Sequence, residues 1–357
     1  MIHPDSRTYE WIDQVATANG VKDKSLAEKA IRAFSLLEAL VRSGCPLTFK
    51  GGTSLMLHLN SAKRLSIDID IICPPGTQIE DYLHTYSAEY GFGKVELVER
   101  NTRTDLPKQH AKYHYQVAYP SGRSEDNILL DVLFEDNYYS NIVTLPIQSP
   151  FLKTVGDPVF VKVPSYMDLL GDKLTAFAPH TTGIPFFKDD KNCSMEINKQ
   201  LFDIASLFDL TDDLSVSTDT FKKFAEVELQ YRKQEGLTIH DVLQDIFNTA
   251  CCISLRGVVS PDEFRLLQEG IIKVRSFIHS ENYTLDNAII NASKAAYLSK
   301  LIELGETEVH HFDNVNVQAL LDAVISDPLP TKFNKFKKSN VEAFFYWNEV
   351  QKLIEHQ

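Results

Sequence analysis

Two aspartates, Asp68 and Asp70, stand two residues apart in the run Ser66-Ile67-Asp68-Ile69-Asp70-Ile71-Ile72. On a strand that spacing sends both carboxylates to one face, with Ile67, Ile69 and Ile71 on the other. Two carboxylates aimed at one point repel each other, and beside apolar neighbours they need a neutralising cation. Mg2+ is the simplest choice because it prefers hard oxygen ligands and keeps waters and substrate phosphates, with Mn2+ as the alternative. An i, i+2 acidic pair is also what a half-exposed strand carries on its solvated face. Alone, the pair leaves both readings open.

The residues upstream favour the metal. An apolar run ends at Lys50 and is followed by Gly51-Gly52 and a short helical segment from Thr53 to Leu59. A diglycine turn lets backbone N–H groups approach a phosphate, and the helix adds its positive end. Lys63, Arg64 and Ser66 make the polar crossing to the acidic strand. A third carboxylate, Asp131, interrupts the apolar stretch Asn127–Glu135. A carboxylate in a buried strand needs a partner. Either this strand lies beside Ile67–Ile72 and Asp131 joins the metal-facing pair, or Asp131 pairs with a lysine.

The segments Phe49-Lys50-Gly51-Gly52-Thr53-Ser54-Leu55 and Arg64-Leu65-Ser66-Ile67-Asp68-Ile69-Asp70 resemble the signature of the nucleotidyltransferase superfamily. Within it they are most similar to the AbiEii/AbiGii toxin family, the toxin half of abortive-infection and toxin–antitoxin pairs. Fifteen residues separate Gly52 from Asp68, more than the superfamily's usual spacing. The resemblance implies an α+β fold with a polymerase-β-like core, a mixed sheet flanked by helices, followed by an all-helical C-terminal domain. It implies transfer of an NMP from an NTP to an acceptor hydroxyl or phosphate, with tRNA or another RNA as the acceptor. A cognate antitoxin encoded nearby would be the partner.

By the same resemblance Asp68, Asp70 and Asp131 hold the metal ions. Lys50, Gly51, Gly52, Thr53, Arg64 and Ser66 bind the nucleotide. Lys173 lies in Gly171-Asp172-Lys173-Leu174, similar to the family's acidic-Lys-Leu context, and would face the site; a snorkelling surface lysine is the alternative. Asn198-Lys199-Gln200-Leu201-Phe202-Asp203 is similar to a family helix that brings a basic residue and an aspartate to the site. Lys199 would join the nucleotide-binding set, and Asp203 would orient Lys173 or the acceptor. Gln200 stands where the family has Asp after the basic residue, which leaves the role of Lys199 open. Other readings of the same core are a small-molecule or protein nucleotidyltransferase, of the antibiotic-adenylylating or AMPylating type, and a catalytically silent nucleotide-binding module.

At 357 residues the chain is long enough for two domains or subdomains. The pattern suggests a core with N-terminal helices over 1–160, a helical segment completing the cleft over 161–214, and a helical domain over 215–357. A net charge of −13 argues against coating nucleic acid along the whole surface, though not against a local basic groove. No apolar run reaches the roughly 18–20 residues of a membrane span and the N-terminus has no signal-peptide core, so a cytoplasmic location is expected. Five scattered cysteines without CxxC spacing read as reduced core thiols.

Local patterns predict helices over Tyr9–Ala18 and residues 25–43, the latter capped by Ser25 with Glu28 three residues on. A helix is expected from Gln78 to Tyr90, with strands over Lys94–Arg100 and His114–Tyr119. Residues 101–112, with Arg103, Lys108, His110 and Lys112, read as a polar hairpin loop, the alternative being a contact for RNA or nucleotide phosphate. Residues 178–199 read as a long loop. Apolar repeats of three and four beyond residue 215 predict six helices, one of them spanning Pro261–His279.

Overall fold

A computed structural model describes residues 1–59, 63–98, 108–120, 122–234, 236–313 and 317–356. Arg103, part of the polar loop expected from the sequence, lies outside them. The chain forms two compact units. The first comprises Met1–Tyr166 and Ser276–Asn282; the second comprises Met167–Arg275 and Tyr283–Gln357.

The first unit begins with α1 (Tyr9–Ala18) and α2 (Lys24–Arg42). Asp23, rather than Ser25, caps α2 by accepting the Ser25 N–H at 3.0 Å. Its apolar face buries Ala30, Ile31, Phe34 and Leu37 against the sheet. Two carboxylates on the same helix are also buried, and each has backbone donors. Glu28 accepts from the N–H groups of Ala118 and Tyr119, both at 2.9 Å, and Glu38 accepts from Ile2 N–H at 2.9 Å. Buried carboxylates survive only where such donors replace water, so α2 holds the backbone of residues 118 and 119 at one end and that of Ile2 towards the other.

The sheet strands follow in chain order with short helices between them: β1 (Thr48–Lys50), α3 (Gly51–His58), β2 (Ile69–Cys73), α4 (Glu80–Leu83), β3 (Phe92–Val98), β4 (Lys108–Gln116) and β5 (Glu125–Phe134). Their spatial order is β1-β2-β5-β4-β3. The pair β2–β5 is parallel and the other pairs are antiparallel, giving a mixed sheet. A separate antiparallel ribbon, β6 (Ile142–Pro146) with β7 (Phe160–Pro164), completes the unit.

Several local expectations change. The helix expected over Gln78–Tyr90 is one turn, α4. The segment Lys108–Lys112 is strand rather than loop, and β4 ends at Gln116 instead of Tyr119. Its polar residues alternate with buried Ala111 and Tyr113, so period-two packing overrides the polar composition. The strand β2 begins at Ile69, leaving Asp68 exposed one residue ahead of it. The strand β5 is half-buried on one face rather than apolar throughout.

The second unit contains α5 (from Tyr166 to Ala176), a ribbon of β8 (Phe187–Lys188) and β9 (Lys191–Asn192), α6 (Ser194–Phe208), α7 (Ser215–Tyr231), α8 (Ile239–Ser254), α9 (Pro261–Val274), α10 (Leu285–Leu304), α11 (Val317–Asp322), α12 (Phe336–Ser339) and α13 (Val341–Glu355). The long loop expected over 178–199 therefore holds a ribbon and the first turns of α6. Helix α10, started by a Thr284–Asn287 capping box, packs against α8, α6 and α13. Glycines bring helices close here. A Cβ on Gly171 would stand 2.5 Å from the Ser217 carbonyl, and one on Gly270 would stand 2.3 Å from that of Ser194. These contacts press α5 onto α7 and α9 onto α6.

The predicted helix Pro261–His279 stops at Val274, and Ser276–Asn282 belong to the first unit. There the Leu65 N–H donates to the Phe277 carbonyl at 2.8 Å, and Arg64 bridges Ile278. The polar crossing is braced by a segment more than 200 residues further along the chain.

Candidate active site

The sheet register assembles one row of polar side chains. Lys50 is the cross-strand partner of Asp70, Asp70 of Asp131, and Asp131 of His110. Directly opposed residues project from the same face of a sheet, so four strands contribute one group each. Beneath the row, Ile69, Ile71, Leu130 and Val132 are buried on the other face. The alternation that fills the core thereby orients the carboxylates. Asp131 is a third exposed, and its Oδ1 accepts the Nδ1–H of His110 at 2.5 Å. Asp131 thus pairs with a histidine, where the sequence suggested a metal or a lysine.

The diglycine bend touches the row. Gly51 has φ +77°, a conformation L side chains rarely adopt, and a Cβ there would stand 2.2 Å from Asp70 Oδ2. A Cβ on Gly52 would meet Arg64 Nη2 at 2.7 Å and Ser66 Oγ at 3.0 Å. Helix α3 starts at Gly51 with no side-chain cap from Lys50, its N-cap residue. Its first-turn N–H groups and its positive end lie beside Asp70, Arg64 and Ser66. Thr53 is fully buried, and its hydroxyl donates to the Asp68 carbonyl at 2.6 Å. That bond ties the helix to the segment entering β2, so the Thr53 side chain anchors Asp68. At the other end of α3, His58 Nε2 bonds the Pro164 carbonyl at 2.8 Å. Burial pushes that imidazole below its ordinary range, partly offset by the carbonyl. Lys50 places its ammonium 5.9 Å from the Tyr139 ring centre.

The first unit thus brings together Lys50, Gly51, Gly52, Arg64, Ser66, Asp70 and Asp131, with Asp68 held through its backbone carbonyl by Thr53. Among the described residues, no three His, Cys, Asp or Glu side chains are gathered tightly enough to form a ready-made metal cage. The closed triad expected from the sequence is not drawn together in this arrangement: Asp70 and Asp131 are adjacent, and Asp68 precedes the strand. The donor set nonetheless fits Mg2+, which usually takes one or two carboxylates plus waters and substrate phosphates rather than an all-protein cage.

Lys173, Asp203 and Lys199 belong to the second unit. Lys173 is buried, pairs with Asp203 at 3.0 Å and donates to Gln200 Oε1 at 2.9 Å. It is not a snorkelling surface lysine. Asp203 is its ion-pair partner, and Gln200, the position that departs from the family pattern, supplies a second acceptor. Lys199 is half-buried on the same helix. All five cysteines are buried and free.

The model of the nucleotidyl transferase AbiEii toxin family, of type IV toxin–antitoxin systems, matches residues 35–341. The chain belongs to the AbiEii family. The match includes every site residue from Lys50 to Asp203 and leaves α1 and the first turns of α2 outside. Nucleotidyl transfer is the activity of AbiEii proteins, and the type IV pairing implies a nucleotide substrate and a cognate antitoxin. No curated protein sequence matches this AbiEii chain significantly. Among its described residues, no helix is long and apolar enough to cross a membrane.

In the sequence His110 stood out only within a polar stretch and Gln200 only as a departure from pattern, and neither showed its partner. The signal for His110 was present, since the alternation of Tyr113 and Tyr115 continues back through Ala111. The register that sets His110 opposite Asp131 is a long-range pairing and left no local mark.

Proposed function

We propose that this AbiEii toxin transfers an NMP from an NTP to a hydroxyl or phosphate of a cellular RNA, with tRNA the leading acceptor, in a Mg2+-dependent reaction. The observation that carries the proposal is the contact between the diglycine bend and Asp70, which puts the α3 N-terminus beside paired carboxylates. In the proposed reaction the acceptor oxygen bonds to the α-phosphorus, the bond from that phosphorus to the bridging oxygen breaks, and pyrophosphate leaves. The first-turn N–H groups of α3 donate to the triphosphate, which Gly51 admits because it has no side chain. Arg64 and Lys50 offset the charge that grows on the departing pyrophosphate. Asp68, Asp70 and Asp131 would hold the metal, with Asp131 on the acceptor side, where its carboxylate draws the hydroxyl proton. Bound Mg2+ supplies positive charge to the entering and leaving oxygens of the in-line displacement. The counter-charge role implied for Lys173 is a separate part of the proposal, checked by its own variant.

The test is incubation with each α-labelled NTP, Mg2+ and total cellular RNA, with free nucleotide products followed in parallel. Label in an RNA band supports the reading and identifies the nucleotide. Label only in a small molecule or in protein moves the acceptor to the antibiotic-adenylylating or AMPylating class.

A further inference from the structure

His110, met in the sequence only as part of a polar stretch, has no part in the reaction proposed above. It sits on β4 directly opposite Asp131, is 7% exposed, and bonds Asp131 Oδ1 through Nδ1 at 2.5 Å. We infer that His110 is the positioning residue of the site: it fixes the Asp131 carboxylate so that Oδ2 is presented to the metal and the acceptor. The inference rests on the assignment of Asp131 to the reaction.

Asp131 and Asp70 are parallel-strand partners, about 5 Å apart along the hydrogen-bonding direction. Side by side, like charges favour rotamers that separate them. A third of the Asp131 side chain is exposed, so packing alone does not lock it. The imidazole supplies the missing constraint. Its ring is almost wholly shielded from water, which strengthens a bond to a carboxylate and restricts its direction. Taking up Oδ1 leaves one carboxylate oxygen for a cation. A histidine on β4 is well suited to this task because cross-strand partners share a face, and its Nδ1 is only two bonds from Cβ.

That last point gives a discriminating test. Asparagine places an N–H at the position of Nδ1, whereas glutamine places one near Nε2. Removing an outer partner of a metal-site carboxylate costs about 10- to 100-fold in affinity or turnover. His110→Ala and His110→Gln should therefore lose about 10- to 100-fold in kcat with little change in KM for NTP. The same two variants should weaken binding of Mn2+ alone, followed by its free-ion paramagnetic resonance signal, over the same range. His110→Asn should recover most of both. Melting curves check that each variant is folded, and if the alanine variant is not, the asparagine–glutamine comparison still decides. Wild-type turnover and Mn2+ binding in all three would overturn the inference, as would asparagine failing as badly as glutamine. Asp131→Asn, assayed alongside, separates the two levels. An inactive Asp131→Asn with fully active His110 variants leaves the assignment of Asp131 standing and removes the role of His110. A fully active Asp131→Asn removes both.

Discussion

Replacing Gly51 by alanine tests the contact between the bend and the carboxylates. The added Cβ would stand 2.2 Å from Asp70 Oδ2, 2.9 Å from its Cγ and 3.1 Å from its Cβ. Turning the carboxylate about χ2 moves the oxygen but leaves Cγ in place. Relief therefore needs a new χ1 for Asp70 or a shift of the β1–α3 junction. Either change swings the carboxylate out of its row with Asp131. Misplacing a reacting group by about 1 Å costs about 100-fold in rate, or about 2.7 kcal/mol of barrier. The positive φ adds about 1–2 kcal/mol of strain, equivalent to a melting shift of about 2–8 °C. Gly52→Ala is the matched control. Its Cβ meets the far end of a long side chain, Arg64, and at 3.0 Å the Ser66 hydroxyl, and the position carries no positive φ. It should keep its melting temperature and lose no more than about tenfold in turnover. Labelling rates and melting curves for the two variants decide the matter. Full activity in Gly51→Ala, or equal damage from Gly52→Ala, would refute the contact.

Lys173→Met leaves Asp203, itself almost fully buried, without its ammonium partner. Breaking a buried pair from one side costs about 3–5 kcal/mol, so melting should fall by at least about 6 °C; an unchanged curve would mean the pair does not form. In the same variant NTP turnover should drop if Lys173 supplies counter-charge, and unaffected turnover returns it to a purely structural role. Chelating divalent ions should abolish labelling, with recovery on adding Mg2+ or Mn2+; activity persisting in chelator would remove the metal from the proposal.

Most of the site was legible because its parts are local. The two glycines, the crossing residues and the i, i+2 aspartates lie within twenty residues of one another, and turn chemistry and strand alternation relate them directly. The cost of an aspartate in an apolar strand raised the pairing of β2 with β5 as one of two readings, and the register sets Asp70 beside Asp131. What escaped depends on distance in the chain. His110 looked like loop because polar residues dominate 108–112, yet tertiary pairing made that segment a strand. The bracing of Arg64 and Leu65 by residues 277 and 278 joins points far apart in sequence, where periodicity says nothing. Gln200 was read as a departure from pattern, and only the folded helix pair shows it accepting from Lys173. The 178–199 stretch was misjudged because two-residue strands are too short to show a period.

The most direct test of the central claim, that the bend and the carboxylates form one nucleotidyl-transfer site, is the labelling rate of Asp68→Asn and Asp70→Asn with α-labelled NTP, Mg2+ and cellular RNA. Each change should abolish labelling while melting stays within a few degrees of the unaltered protein. Label transfer that survives in both folded variants would contradict it.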